Sequence, residues 1–262
     1  MIKQYSVDAF AEKVFHGNPA AVCILDAWLP DSVMRCIAAE NNLSETAFAV
    51  GANGQYHLRW FTPCEEIDLC GHATLAAAFV LMNIYERSAQ SVSFDTLSGL
   101  LTVRRDGELF AMDFPAFTLE KVLVTDAMEE AIGIRPTEAW LGRDLVCVLP
   151  TEFDVRTSVP DAEKTKFLPG LILHTTACSD DTDYVLRSFA PKIGIAEDPV
   201  CGSGNCHTAP LWADKLKKCI LTAEQASARG GILHCTVNGE RVELAGKAVL
   251  YAASELYIDE RA

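Results

Sequence analysis

Two stretches of the chain place a cysteine, glycine and a small polar residue directly ahead of an apolar, helix-like run. They are Leu69-Cys70-Gly71-His72-Ala73-Thr74, leading into Leu75 to Leu81, and Pro199-Val200-Cys201-Gly202-Ser203-Gly204-Asn205-Cys206-His207. The first backbone N–H groups of a helix lack partners within it, so a glycine-rich helix start can hold an anion such as a carboxylate. Removing a proton beside a carboxylate leaves an enolate-like anion, which the same donors stabilise without reorganising. These residues suit proton transfer at the carbon next to a carboxylate, with a base on one side and an acid on the other.

Several side chains are candidates to move the proton. Cys70 and Cys201 occupy matched helix starts, where the dipole is expected to lower a thiol's pKa and make an acid and base pair; the plain alternative is two small buried hydrophobes filling tight turns. Glu45, in Asn42-Leu43-Ser44-Glu45-Thr46-Ala47-Phe48, is a lone carboxylate among apolar residues, where desolvation is expected to raise its pKa and make it a usable base. A carboxylate at a strand entrance is otherwise simply solvated. His72 could orient a substrate or relay a proton, or merely cap its turn. Asp198 could hold a substrate amine or hydroxyl, or bond the turn's own backbone.

Charge and composition narrow the partners. The formal charge is −14, from 22 basic and 36 acidic residues, and no basic stripe is present to neutralise a phosphate backbone, so nucleic acid is not an expected partner. A small anionic metabolite is, because local N–H donors can hold a carboxylate inside a negatively charged protein. No run approaches the roughly 18 consecutive apolar residues of a membrane span, and the first residues lack a signal-peptide core. The expectation is a cytoplasmic protein with no membrane partner, with a homodimer left open. Ten cysteines in a chain neither small nor visibly exported should be reduced and mostly buried. A zinc site would have to combine Cys70, His72, Cys206 and His207 across the chain, so no metal is expected.

The elements that must position these residues come from an internal repeat. Tyr56-His57-Leu58-Arg59-Trp60-Phe61-Thr62-Pro63 recurs as Tyr184-Val185-Leu186-Arg187-Ser188-Phe189-Ala190-Pro191, with five of eight positions identical. Cys70-Gly71 then corresponds to Cys201-Gly202, and Gly99 to Gly107 is spaced like Gly231 to Gly239. Three matches in the same order imply two homologous halves. The boundary is expected just after Phe114-Pro115, giving lobes over 1–115 and 116–262; whether a final strand over 249–258 returns to the first lobe is left open.

Within the first half, strands are expected at 3–10, 21–25, 46–50, 57–61, 92–94, 99–104 and 109–114, with a helix from Pro30-Asp31 to Asn41-Asn42 and a buried helix over 73–83. The second half reads as strands at 145–149, 171–175, 184–189, 233–237 and 242–245, with a helix over 205–216. Asp106-Gly107 and Asn238-Gly239 signal matched hairpins. The fold class is α+β: two pseudo-twofold lobes, each a curved mixed sheet or barrel around one central helix.

The chain resembles the phenazine-biosynthesis isomerase (PhzF-like) family, of diaminopimelate-epimerase-like fold, over nearly its whole length. The marks are Asp8-Ala9-Phe10 with Gly17-Asn18-Pro19-Ala20, Leu43-Ser44-Glu45-Thr46-Ala47-Phe48, Phe61-Thr62-Pro63, Leu69 to Thr74, and Glu197-Asp198-Pro199-Val200-Cys201-Gly202-Ser203-Gly204. The resemblance implies a cleft active site, no cofactor, and proton-shuttling isomerisation with Glu45 as acid/base. It places His72 and Asp198 among the catalytic residues, and Gly71, Gly202 and Ser203, with Gly204 beside them, on substrate-holding turns. Cys201 departs from the family, where threonine or alanine is usual; racemases and epimerases of the same fold carry cysteine at both turns. A two-cysteine amino-acid racemase or epimerase using Cys70 and Cys201 is therefore the second reading, and a catalytically silent carboxylate-binding protein the third.

Overall fold

In the computed structural model, which describes residues 1–258, the alternating stretch at the start is strand β1 (Ile2–Ala9), and the apolar run that follows is β2 (Asn18–Leu25), antiparallel to it. The connection closes at Gly17, where φ is +67° and an added Cβ would meet the Ala9 carbonyl oxygen at 2.1 Å. Only glycine fits, and the tight closure sets the position of Asn18.

Helix α1 (Asp31–Asn41) buries Val33, Met34, Ile37 and Ala38 and ends at Asn42 in the left-handed region. It carries the chain to β3 (Glu45–Ala52), parallel to β2. Strand β4 (Gln55–Phe61) pairs antiparallel with β3, and the two-residue β5 (Glu66–Ile67) with the end of β4. Helix α2 (Gly71–Val80) is apolar nearly all round and correspondingly buried, and a wider turn at Leu81–Tyr85 continues it. Then come β6 (Ser91–Thr96), parallel to β4, and the hairpin of β7 (Gly99–Asp106) and β8 (Leu109–Pro115).

The order then starts again. Strand β9 (Glu120–Val122), helix α3 (Asp126–Ile132), β10 (Glu138–Leu141) and β11 (Leu145–Val148) lead to two short helices, α4 (Glu152–Thr157) and α5 (Ala162–Thr165). Strands β12 (Leu173–Cys178), β13 (Tyr184–Ala190) and β14 (Ile195–Asp198) precede helix α6 (Gly202–Leu216). After it come β15 (Ile220–Gln225) and the hairpin of β16 (Gly231–Asn238) and β17 (Arg241–Gly246).

The two pairing ladders are the same. Strands β1, β2, β3, β4, β6 and β7 are neighbours in the sense antiparallel, parallel, antiparallel, parallel, antiparallel. Strands β10, β11, β12, β13, β15 and β16 repeat that sense step for step. Gly107 and Gly239 turn the matched hairpins with φ of 61° and 59°. Tyr56 and Tyr184 lie on β4 and β13, and Cys70 and Cys201 are the cap residues of α2 and α6, both in extended conformation. The duplication read in the residues is thus a duplication of topology.

The chain divides into one unit of Met1–Asp113 plus the segment from Ala245, and another of Phe114–Leu244. A second lobe running to 262 is therefore too long. Strand β18 (Ala248–Leu256) pairs antiparallel with β1 and so joins the first unit. In that unit α2 packs on β1, β2, β3, β7 and β18, while α1 covers a separate apolar cluster of Cys23, Leu25, Phe48 and Phe61. In the other, α6 packs on β13, β15 and β16, and Met128, Ile132, Leu145, Val155 and Val185 form a cluster with α3 and α4. Among the described residues no helix is long and apolar enough to cross a membrane.

Candidate active site

At the tip of the first unit, β3 begins with Glu45 and α2 begins with Gly71-His72. Both side chains are buried, and His72 Nε2 lies 3.0 Å from Glu45 Oε2. Asn18 Nδ2, held by the Gly17 turn, is 3.2 Å from His72 Nδ1, and Cys70 Sγ is 3.6 Å from the same nitrogen. The Thr74 hydroxyl donates to the Cys70 carbonyl at 2.5 Å and pins the turn. The structure therefore brings Glu45, Cys70, Gly71 and His72 together.

The charge states differ from expectation. Burial works to raise Glu45, but the facing His72, together with Cys70, outweighs it and holds the carboxyl below its ordinary range. Burial works to lower His72, and the facing Glu45 carboxylate turns it well upward instead. Both shifts favour the charged forms, carboxylate and imidazolium. Burial and the Glu45 carboxylate raise the Cys70 thiol, and burial and Asp198 raise Cys201 well above the ordinary thiol range. Thiolate is thus disfavoured at both helix starts, contrary to the dipole argument, because desolvation beside a carboxylate is the larger effect.

At the tip of the second unit, Cys201 Sγ accepts from the Gly204 N–H at 3.3 Å and lies 3.4 Å from the Ser203 hydroxyl. Its own N–H donates to Gln225 Oε1 at 3.3 Å. Gly204 must be glycine, since an added Cβ would stand 2.9 Å from His174 Cε1 and 3.0 Å from its Nδ1. Asp198 ends β14, which the Arg187–Glu197 pair fastens to β13 with contacts of 2.7 and 2.9 Å. Arg59 and Glu66 fasten β5 to β4 in the same way, at 2.7 and 2.6 Å. Asp198, Cys201, Gly202, Ser203 and Gly204 are therefore gathered in this unit.

A family model described as phenazine biosynthesis-like protein (PhzC-PhzF) matches residues 7–254. The chain belongs to the phenazine biosynthesis-like family. A relative in Pseudomonas aeruginosa, described as an uncharacterized isomerase, is 49% identical over 254 residues, covering 97% of this chain and 98% of that protein. The crystal structure of a phenazine biosynthesis protein of the PhzF family from Enterococcus faecalis superposes with a TM-score of 0.96 at 48% identity, over 98% of this chain and 99% of the other. A hydroxyproline epimerase from Agrobacterium vitis, with bound trans-4-OH-L-proline, shares the fold at a TM-score of 0.62 and 10% identity, over 97% of this chain and 90% of that one.

The two units of this PhzC-PhzF family chain differ at matched positions of these strands and helix starts. Thr46 pairs with Phe61 as Leu173 pairs with Phe189, so Glu45 corresponds to Ile172 and Ala47 to His174. Ala21 pairs with Thr46 as Leu145 pairs with Leu173, so Ala20 corresponds to Asp144. Counting from the two cap cysteines, His72 corresponds to Ser203 and Ala76 to His207. The glutamate and histidine of the first unit have no counterparts in the second, which instead buries an aspartate and two histidines where the first has three alanines.

Sequence reasoning missed that second cluster. Asp144 is fully buried and accepts from Arg143 Nε at 3.1 Å, Arg143 Nη2 at 2.6 Å and the Ile172 N–H at 3.3 Å, with His174 Nε2 at 3.2 Å. Burial works to raise its carboxyl, and His174 and Arg143 drive it far below the ordinary range. His207 donates Nδ1–H to the Ser203 carbonyl at 2.7 Å, and burial, with His174 beside it, lowers its pKa to about 4. The charged pair Arg143-Asp144 directly ahead of an apolar strand was the available signal.

Metal-ligating types converge within 4.8 Å in two trios, Glu45 with Cys70 and His72, and Asp144 with His174 and His207. Neither is the combination of Cys70, His72, Cys206 and His207 considered from spacing. In each trio the carboxylate already faces a cation, His72 in one and Arg143 in the other.

Proposed function

We propose that this protein is a cofactor-independent isomerase that moves a proton within a small carboxylate-bearing metabolite, with Glu45 as the group that takes and returns it. The observation that carries the reading is the buried Glu45–His72 pair at the tip of α2, a single carboxylate with a defined partner beside a helix start able to hold an anion. The isomerase description of the Pseudomonas relative supports the reaction class.

Because Glu45 rests as carboxylate, it acts first as base. It accepts a proton from the carbon beside the substrate carboxylate; the electron pair left behind delocalises into that carboxylate as an enolate. The helix-start N–H at Gly71 stabilises the developing charge. Glu45 then gives the proton back: at the other face of the same carbon this inverts the centre without changing bond orders, and at another carbon of an enolate conjugated with a double bond it moves that double bond. His72 compensates the Glu45 charge while the carboxylate is free. Protonated, desolvated Cys70 and Cys201 weigh against the two-cysteine racemase reading, since neither thiol is poised to serve as base.

Solvent-deuterium uptake tests the reading. In D2O, a small carboxylate turned over by the protein should gain carbon-bound deuterium. Glu45→Gln should abolish the uptake while leaving ligand binding intact. Uptake that survives Glu45→Gln and vanishes in Cys70→Ala and Cys201→Ala would assign the chemistry to the thiols. Binding of a carboxylate without any uptake would leave a silent binding protein.

A further inference from the structure

The buried cluster behind α6 costs the fold something and has no role in the proton transfer. The matched positions in the first unit are Ala20, Ala47 and Ala76, all fully buried, so the topology packs without Asp144, His174 and His207. A desolvated carboxylate and two imidazoles are an expensive replacement for three methyl groups. What they connect to indicates their purpose.

Every path through the cluster leads to Arg143 and Ser203. Asp144 grips the guanidinium through Nε and Nη2, and His174, Ser188 and the Ile172 N–H hold Asp144 and its surroundings. Arg143 Nη2 also donates to Ser203 Oγ at 2.9 Å. The guanidinium lies over the Phe117 ring, 4.8 Å from its centre, and Phe117 stacks on His207 with ring centres 4.1 Å apart and planes 7° from parallel. His207 in turn fixes the Ser203 carbonyl. The arginine is thus clamped in plane and from one face.

One edge of it is left over. Arginine carries five N–H donors in a fixed fork. Nε and Nη2 are committed, whereas Nη1 has no hydrogen-bond partner among the described residues, and the side chain is 39% exposed. Ser203 Oγ accepts from Nη2 and lies 3.4 Å from Cys201 Sγ. The uncommitted Nη1 edge, with the Ser203 hydroxyl beside it, forms a place for one carboxylate.

We propose that Arg143 is an anion-anchoring residue of the second unit, holding a carboxylate through Nη1 beside the Ser203 hydroxyl. The proposal rests on the carboxylate-bearing substrate class given above. Asp144 fixes the guanidinium, so Nη1 is presented in one orientation, and a carboxylate accepts a stronger, charge-assisted bond from it than a neutral amide does.

Benzoate and its neutral isostere benzamide serve as probes, since neither needs to be turned over. Phenylglyoxal, which modifies guanidinium groups, is applied to the wild-type protein and the Arg143 peptide is quantified by mass spectrometry. Benzoate should protect Arg143 and benzamide should not. In calorimetry, Arg143→Gln should weaken benzoate about tenfold to hundredfold, the range for a lost charge-assisted hydrogen bond, with Arg143→Lys in between. If Arg143→Gln does not fold, the wild-type footprint decides alone. Equal protection by both probes, no protection by either, or unchanged benzoate affinity in a folded Arg143→Gln would overturn the proposal. Glu45→Gln should leave protection unaltered, so failure of the proton-transfer reading shows as normal turnover in that variant, and failure of the anchor shows as lost protection in the wild type.

Discussion

Glu45 Oε2 and His72 Nε2 meet at 3.0 Å with 10% and 9% of their side chains exposed, and each favours the charged form of the other. Burial of the carboxylate alone would favour protonation, so its lowered pKa depends on the imidazolium. The acid limb of kcat/KM against pH should therefore fall below the ordinary carboxylate range, because activity persists until Glu45 is protonated. His72→Asn removes the compensating charge and leaves the desolvation, so the limb should move upward. An acid limb unmoved by His72→Asn would show that the histidine does not govern Glu45.

Thiol reactivity should divide the cysteines by burial. Cys36, Cys64, Cys178 and Cys219 are exposed, whereas Cys70 and Cys201 are buried with raised pKa values. Iodoacetamide at neutral pH should label the four exposed thiols first, and peptide mapping should find Cys70 and Cys201 slowest to react. Fast, carboxylate-protected labelling of the latter two would instead mark thiolates.

Stability should carry the signature of His207. Its pKa in the folded chain, about 4, lies below the ordinary 6.5. The unfolded chain then binds the extra proton first, so stability is intact above pH ~6.5 and declines as pH falls toward ~4, by at most roughly 3 kcal/mol. Urea melts of wild type and His207→Gln at several pH values isolate the effect. The variant should lose less stability across that window, and parallel curves would contradict the assignment.

Gly204→Ala should disturb the second cluster from the helix side. The new Cβ would press on the His174 ring at 2.9 Å, and the cost expected of such overpacking is about 1–3 kcal/mol. Denaturant titration measures it. The matched position in the first unit is Ala73, already alanine and fully buried, which locates the constraint in His174 rather than in the helix.

Much of the fold was legible because its signals are local or repeated. The apolar circumference of α2, the Asp106-Gly107 and Asn238-Gly239 turns and the Tyr56 and Tyr184 segments each determine structure within a few residues. The short elements α3, α4 and α5 were overlooked, although Thr125, Thr151 and Asp161 cap them with side-chain oxygens; four to seven residues are too few for a helical period to show. The strand expected at 171–175 starts later, at Leu173, beyond a turn at Gly170 with φ of +77°.

The candidate site divided along the same line. Glu45, His72 and Asp198 could be named from motifs, but their charge states could not, because the partner that sets Glu45 arrives from another element. Asp144, His174 and His207 were hidden more thoroughly. Asp144 and His174 are 30 positions apart in the chain and meet only because β11 and β12 are adjacent and parallel.

The central claim is that Glu45 carries the proton, and hydrogen–deuterium exchange into a turned-over carboxylate, followed by NMR in D2O, tests it most directly. Glu45→Gln keeps the shape and removes the titrating oxygen, so the exchange rate should fall by at least ~10²-fold, with Cys70→Ala and Cys201→Ala retaining most of it. Exchange at the wild-type rate in Glu45→Gln, with none in the two cysteine variants, would contradict the account.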